Sequence, residues 1–481
     1  MDIITVFRRS ARRYPDRVFA FDTQTTITYG GAEERTDAIA ADLLARGIEA
    51  GAPLGLSGSD RVSLWLAIIG AWKAGLLPSL IDARTSSEDL PFFIDDIDAP
   101  LIAAAPELHD RLTAAGASDV VDLESLGTGR VGTRVDRHGP DAPLYLSYTS
   151  GTTGVPKGVI LVSDPVSLGT ACIAERLELT KEDVLLATTP ISSSFQLVAA
   201  LMPAVHVGAS IGLVAGSAIE DIWAVAKQSQ ATILVAYPLT LADMVNATAA
   251  MDGSSPFRLA MSGGSPLAPR IKREYRERLG IDLLESYGQS EMGGFMVMGS
   301  LSDGERSLTG YAGKPLPDRV AYVGTPSGDE VPFGEVGEVL VPEGYFSHYK
   351  DAPDKTAEVL EGGVLHTGDL AVSDSNGCLK VLGRIGETDS AKLRGGFLRQ
   401  VEDAYYEHGD VLHATIVENR SGDIHAFVEL QKGRSATAAD IEASVTSELP
   451  PNLIPSRTTI VENMPRTFSG KADRAGLAGM V

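Results

Sequence analysis

At 481 residues the chain exceeds the ~250–300 at which a single core usually stops growing, so two or more domains are expected. Apolar residues make up 44% and charged residues 22%, the balance of a globular chain rather than a disordered or membrane-spanning one. With 64 acidic against 41 basic residues, a formal charge of −23 and no dense Lys/Arg run, the sequence lacks the basic face that nucleic-acid binding needs.

The opening "MDIITVFRRSARRYPDRV" carries basic residues with no apolar run behind them, so no secretory leader is expected. "TDAIAADLLARGI" gathers Ile39, Leu43 and Leu44 on one helical face that stops at Gly47. "APLGLSG" reads as a short strand, and "RVSLWLAIIGAWKAGLLP" as a buried helix ending before Pro78. Further on, "DVLLATTP", "ATILVAYP", "FRLAMSGG" and "IDLLESYG" are apolar runs of strand length, with helical patterns such as "PRIKREYRERLG" between them. Near-continuous apolar strands alternating with helices predict α/β layers built on mostly parallel sheets. "LVAALMPAVHVGASIGLVAG", broken by Pro203 and Gly208, reads as a buried helix turning into a buried strand rather than a membrane span, so no membrane insertion is expected. Cys172 and Cys378 stand far apart and form neither a disulfide framework nor a metal-ligand spacing, which fits a reducing cytoplasm.

After about residue 310, "GEVGEVLVPE" and "GCLKVLGR" read as antiparallel strands. "HATIVENRSGDIHAFVELQ" then reads as a hairpin, and "TAADIEASVTSEL" as a helix capped by Thr437. The polar, glycine-containing "GRIGETDSAK" suggests a hinge, dividing the chain into 1–384 and 385–481. The expected architecture is therefore α/β. A large N-terminal domain of layered, mostly parallel sheets and helices carries a β-rich subdomain, followed by a small mobile α+β domain.

One stretch stands apart. "SYTSGTTGVPKG" (147–158) sets hydroxyl residues and glycines between apolar strands, at an entropic cost that a bound ligand can offset. Its backbone N–H and hydroxyl donors suit phosphate oxygens. Gly151, Gly154 and Lys157 give G-x-x-G-x-x-K, which is not a Walker A spacing. Taken alone, such a loop is most often an exposed turn. Four stretches follow it in order: "ESYGQSE" (285–291), "HTGDL" (366–370), "GR" (383–384) and "PRTFSGKADR" (465–474).

Together, the five blocks and the N-terminal "FRRSARRYPDRVFAF…TITYGGAEERTDAIAADLLARG" resemble the adenylate-forming superfamily of acyl-CoA synthetases, peptide-synthetase adenylation domains and luciferases. The resemblance spans essentially the whole chain. It implies ATP-dependent activation of a carboxylic acid to an acyl-adenylate with release of pyrophosphate. Transfer then follows to a thiol of coenzyme A, or of a phosphopantetheine arm on an acyl carrier protein. Because the α-phosphate gains negative charge, such catalysis is chiefly positioning and electrostatic stabilisation.

On this resemblance Lys471 is the catalytic lysine, contacting the carboxylate and the α-phosphate. Lys157 with Thr149, Ser150, Gly151, Thr152, Thr153 and Gly154 holds the β- and γ-phosphates, and Glu291 ligates Mg2+ alongside phosphate oxygens. Tyr287 is the plate for adenine, with Gly288 allowing close approach. Glu285 and Ser286 belong to the same block, and Gly264, Ser265 and Pro266 to the opposite wall. Asp369 accepts from the ribose hydroxyls, and Arg384 lies beside ribose and phosphate.

Two departures bear on the reaction. Gly386 stands where the family usually carries Asp or Lys two residues after its hinge arginine, and the lysine-glycine segment falls late, at "AKLRGG" (391–396). In the family this hinge lets the small domain rotate between adenylation and thioester formation. In "PISSSFQLVAAL" (190–201), Ser193 replaces a histidine or aromatic and Gln196 replaces a small residue. Either Gln196 shortens or polarises the acyl channel, or it sits on a rim facing water. A small or aromatic acid is the expected substrate, its pocket lined by Phe195, Gln196, Tyr237, Gly263 and Met292. Three alternatives stay open: an adenylate-forming enzyme with an amine or other non-thiol acceptor, a standalone amino-acid adenylation enzyme, and a non-catalytic nucleotide-binding protein. No aspartate lies between Pro190 and Pro203 to pair with an amino-acid amine.

Overall fold

The computed structural model describes residues 2–59, 61–130, 134–149, 156–247, 255–317, 319–342, 346–388, 396–419, 421–467 and 470–481. Two large sheets dominate. In the nine-stranded one, Asp282–Gln289, Leu259–Ser262, Ile233–Ala236, Val184–Ala187, Ser210–Leu213 and Val18–Phe21 lie side by side, each pair parallel. Every residue of Leu259–Ser262 and Ile233–Ala236 is buried, because helices cover both faces; that is why these strands are continuous apolar runs. The seven-stranded sheet joins parallel strands, including Pro53–Ser57 and Leu77–Leu80, to an antiparallel edge of Pro143–Thr149, Lys157–Val162 and Phe346–Tyr349.

Between the sheets lies an aromatic core of Phe7, Phe19, Tyr29, Trp65 and Trp72, with Trp65 and Trp72 edge-to-face at 5.5 Å. Here the structure corrects the sequence reading of one helix. It closes at Ala74, capped by Gly75 at φ 76°, and Pro78 lies inside the strand that follows rather than marking the helix end. Among the described residues no helix is long and apolar enough to cross a membrane. Both cysteines are buried and unbridged.

The β-rich subdomain is an antiparallel sheet that includes Val336–Pro342, Val364–Ser373 and Leu379–Arg384. The C-terminal unit is a three-stranded sheet, Val411–Glu418, Ile424–Leu430 and Arg457–Val461, carrying helices Leu398–Glu407 and Ala438–Thr446. Thr437 caps the second helix through a reciprocal capping box with Asp440. At the expected boundary, Leu379–Arg384 ends and Ile385–Thr388 forms a single helical turn containing Gly386; most of "AKLRGG" lies outside the described residues.

The C-terminal unit is firmly seated on the large domain. Leu398, Val401 and Tyr405 share one apolar cluster with Leu241, Ile271 and Tyr275. Arg270 donates to the carbonyls of Tyr406, His408 and Val411 at 2.8, 2.7 and 2.9 Å, satisfying the end of helix Leu398–Glu407. Across the same seam Asp243 accepts from Arg466 at 2.7 Å and lies 2.8 Å from His413 Nε2.

Candidate active site

Four parallel strands of the nine-stranded sheet end at one place, and their C-terminal loops deliver most of the polar and aromatic groups. Thr189 follows Val184–Ala187, Tyr237 follows Ile233–Ala236, Gly263 and Gly264 follow Leu259–Ser262, and Tyr287 lies in Asp282–Gln289. Ligands of open α/β sheets bind at such strand ends. A cavity of about 260 Å³ opens there, lined by Gly264 to Pro266 and Glu285 to Gln289 on one side and by Asp369, Arg384 and Arg474 on the others.

Asp369 is the cavity's electrostatic centre. Its Oδ2 accepts from Tyr287 Oη at 2.8 Å and from Gln289 Nε2 at 2.6 Å, while Arg384 Nε lies 3.1 Å from Oδ1. Its backbone N–H is held by Thr367 Oγ1 at 3.1 Å. Burial and the neighbouring carboxylate hold the Tyr287 hydroxyl well above its ordinary range, so it stays a donor. Gly288 runs against the backbone of Gly294 and Phe295; a Cβ there would lie 2.2 Å from a carbonyl oxygen. Sequence reasoning missed Gln289, although strand alternation puts it on the same face as Tyr287.

Lys471 comes from the C-terminal unit, on the turn closed by Thr467 N–H donating to Lys471 O at 2.8 Å. Its ammonium lies 5.3 Å from the Tyr237 ring centroid. Gly264, at φ 74°, passes beneath it, and a Cβ there would come within 3.4 Å of the Lys471 ammonium and 2.9 Å of the Tyr237 ring. Only glycine fits. Burial, with the positive field of Arg384 added, pushes the lysine down to about 8.

The remaining expected residues divide. Lys157 Nζ sits 5.0 Å over the Tyr349 ring, and Tyr349 Oη donates to Glu291 Oε1 at 2.8 Å. Ser150, Gly151, Thr152, Thr153 and Gly154 lie outside the described residues, as does the side chain of Thr149. Ser286 Oγ donates to the Ser262 carbonyl at 2.8 Å, tying two strand ends together. Glu285 lines the cavity, but its carboxylate serves buried cations: Lys272 Nζ at 2.6 Å and Arg399 at 3.2 Å. Burial opposes its ionisation, yet Lys272 and Arg399 outweigh this and lower it. Since Arg399 belongs to the small unit, Glu285 anchors that unit; Arg399 and Glu402, also on the cavity wall, had no signal short of the fold, while Arg474 there closes the "PRTFSGKADR" block.

On the acyl side Phe195 stacks on Tyr237 at 5.3 Å and meets Phe295 edge-on at 5.3 Å. Gly263 fits between them, since a Cβ would lie 2.7 Å from Phe195 and 2.5 Å from Ser286 Oγ. Ser193 Oγ is 2.7 Å from Tyr237 Oη. Gln196 is fully buried, which removes the rim alternative; Thr189 Oγ1 donates to its Oε1, and its Nε2 has no partner among the described residues. Met292 does not join this group. It packs into the β-subdomain core with Met296 and Val297, whereas the aromatic trio belongs to the core between the large sheets.

Comparison with known proteins decides the family. Residues 7–345 match the AMP-binding enzyme family, and residues 400–471 match the AMP-binding enzyme C-terminal domain. The chain belongs to this family. It is 26% identical to the sulfoacetate–CoA ligase of Cupriavidus necator over 97% of this chain and 95% of that protein. It is also 26% identical to a fatty acid–[acyl-carrier-protein] ligase of Streptomyces coeruleorubidus, over 94% of this chain and 91% of that one. A benzoate CoA ligase from Burkholderia xenovorans LB400 shares the fold with a TM-score of 0.89 at 22% identity, over 99% of this chain and 100% of that chain. The chain is accordingly a ligase of the adenylate-forming superfamily, and it activates a carboxylic acid with ATP.

Proposed function

We propose that this AMP-binding enzyme activates a small carboxylic acid at the cavity beside Lys471 and passes the acyl group to the thiol of coenzyme A or a carrier-protein arm. The observation that carries this reading is the seating of Lys471, from the small unit, between Gly264, Tyr237 and the Asp369 cavity. A buried ammonium there offsets repulsion between a carboxylate and an α-phosphate. A carboxylate oxygen attacks the α-phosphorus, and the bond to the β-phosphate oxygen breaks, releasing pyrophosphate. Asp369, Tyr287, Gln289 and Arg384 would hold the nucleoside in line for that displacement.

Lys157 and the 149–154 loop would neutralise the leaving pyrophosphate. Among the described residues no group of three or more His, Cys, Asp or Glu could hold a metal. A lone carboxylate, Glu291, fits Mg2+ that takes its other ligands from ATP phosphates and water, and such an ion would neutralise phosphate charge. The packed trio of Phe195, Tyr237 and Phe295 would close the acyl side to long chains and suit a short or single-ring acid. Gln196, with its amide N–H2 unpaired, favours an acyl group carrying a hydrogen-bond acceptor. The sulfoacetate and benzoate substrates in the names of the similar proteins are of this size class.

Acid-dependent exchange of labelled pyrophosphate into ATP, across short polar, aryl, long-chain and amino acids, tests the proposal. Exchange with short polar or aryl acids and silence with long chains supports it. Exchange confined to long-chain or amino acids overturns the pocket reading.

A further inference from the structure

One side chain touches two of the groups assigned above to the phosphate end, and neither the motifs nor the reaction scheme gives it a part. Tyr349 ends the edge strand Phe346–Tyr349 and pairs in register with Val159, two residues beyond Lys157. Its position is fixed from both sides. Its N–H donates to Thr356 Oγ1 at 3.0 Å, and the next residue's N–H donates to Gly158 O at 2.7 Å. The buried ring presents its face to Lys157 Nζ at 5.0 Å and its hydroxyl to Glu291 Oε1 at 2.8 Å.

We infer that Tyr349 is a positioning residue for adenylation, orienting the Glu291 carboxylate for a phosphate-bound cation with its hydroxyl and holding the Lys157 ammonium with its ring. The inference rests on the ATP-site reading above. The hydroxyl engages one carboxylate oxygen and leaves the other for a cation; outer hydrogen bonds of this kind orient metal ligands and tune their affinity. The ring places a cation over its negative face without forming an ion pair, so Lys157 stays available to phosphate. The two contacts are separable by substitution: Tyr349→Phe removes the hydroxyl and keeps the ring, whereas Tyr349→Leu removes both.

The test is direct binding on the full-length protein, with Mn2+ as the paramagnetic probe titrated into the ATP complex and ATP affinity measured separately in EDTA. Tyr349→Phe is expected to weaken Mn2+ binding about tenfold, the lower end for loss of an outer-shell partner, while metal-free ATP affinity holds. Tyr349→Leu is expected to lose metal-free ATP affinity as well, by roughly three- to fivefold, from the missing cation–π contact. In a Glu291→Gln background, Tyr349→Phe should add little further loss of Mn2+ affinity, because its effect runs through that carboxylate. Unchanged Mn2+ binding in folded Tyr349→Phe, or an equal loss in the Glu291→Gln background, overturns the inference. Failure of the wild-type protein to bind ATP in EDTA or with Mn2+ would instead overturn the ATP-site reading.

Discussion

The nucleotide half and the acyl half of the site are built by different means. Around Asp369 the polar groups are mutually satisfied: Tyr287, Gln289 and Arg384 all converge on one carboxylate, set by strand register and a β-subdomain edge. Around Gln196 the opposite holds. The neighbouring Phe195 packs against two further rings, Tyr237 and Phe295, and the buried amide donor has no partner among the described residues. A satisfied network defines one ligand geometry and resists change, because removing any member strands the others. A packed wall with one unsatisfied donor selects by fit and by a single hydrogen bond, and is altered by single substitutions. On the proposed function, the reaction is set in one half and the choice of acid in the other.

The largest effect that would sharpen this contrast lies where the halves meet. Lys471→Ala should lower adenylate formation by about 10³-fold, the scale for removing one preorganised group aimed at transition-state charge. Transfer from a supplied acyl-adenylate should remain largely intact. A mutant with unaltered pyrophosphate exchange would break the assignment of Lys471. Next comes the network itself. Asp369→Asn keeps the shape and removes the charge on which a guanidinium, a hydroxyl and an amide converge. Hydrogen bonds to charged groups contribute about 1.5–3 kcal/mol, so ATP affinity should fall 10–100-fold with little change in the order of preference among acids. Calorimetric titration with ATP, paired with the exchange panel, checks both parts.

The same contrast explains what was legible in the sequence. The α/β layering showed in the apolar runs, because strands buried on both faces permit little else. The residues around Asp369 showed because the backbone must pass close there, at Gly264 and Gly288, and because the motif keeps residue types at short spacing. Gln289 was within reach, sharing a strand face with Tyr287. Tyr349 and Arg399 were not. Each acts on a group far along the chain, Tyr349 on Glu291 and Arg399 on Glu285, and no local pattern records such a contact. Pro78 misled because a proline after a helix usually marks its end, whereas Gly75 had already closed this helix. Met292, expected to line the acyl side, clusters instead with the β-subdomain core, a long-range packing that no local pattern records.

A smaller effect follows from the burial of Lys471. Its ammonium is charged below about pH 8 and neutral above, so kcat/KM for adenylation should be flat below that value and fall about tenfold per pH unit beyond it. Bound carboxylate and triphosphate favour the charged form, so the limb in kcat should lie at higher pH than the limb in kcat/KM. A pH–rate series by pyrophosphate exchange separates the two. Coincident limbs would mean that the substrates' anions do not sense the lysine.

The smallest effect distinguishes the two halves most sharply. Gln196→Met conserves volume and removes the buried amide whose N–H2 has no partner among the described residues. An unsatisfied buried donor costs about 1–3 kcal/mol, and the variant removes one at the amide while stranding the buried Thr189 hydroxyl, so its stability in denaturant titration should stay close to that of the wild type. If that donor serves the acid, kcat/KM for acids bearing a second acceptor should drop roughly tenfold. Acids of the same length without one should be unaffected or improved, and ATP affinity should not move. Equal losses across all acids would make Gln196 a packing residue and return the selectivity to the aromatic wall alone. A loss of ATP affinity would mean that the two halves are coupled through the Thr189 and Tyr237 strand ends, and that their separation is weaker than their contacts suggest.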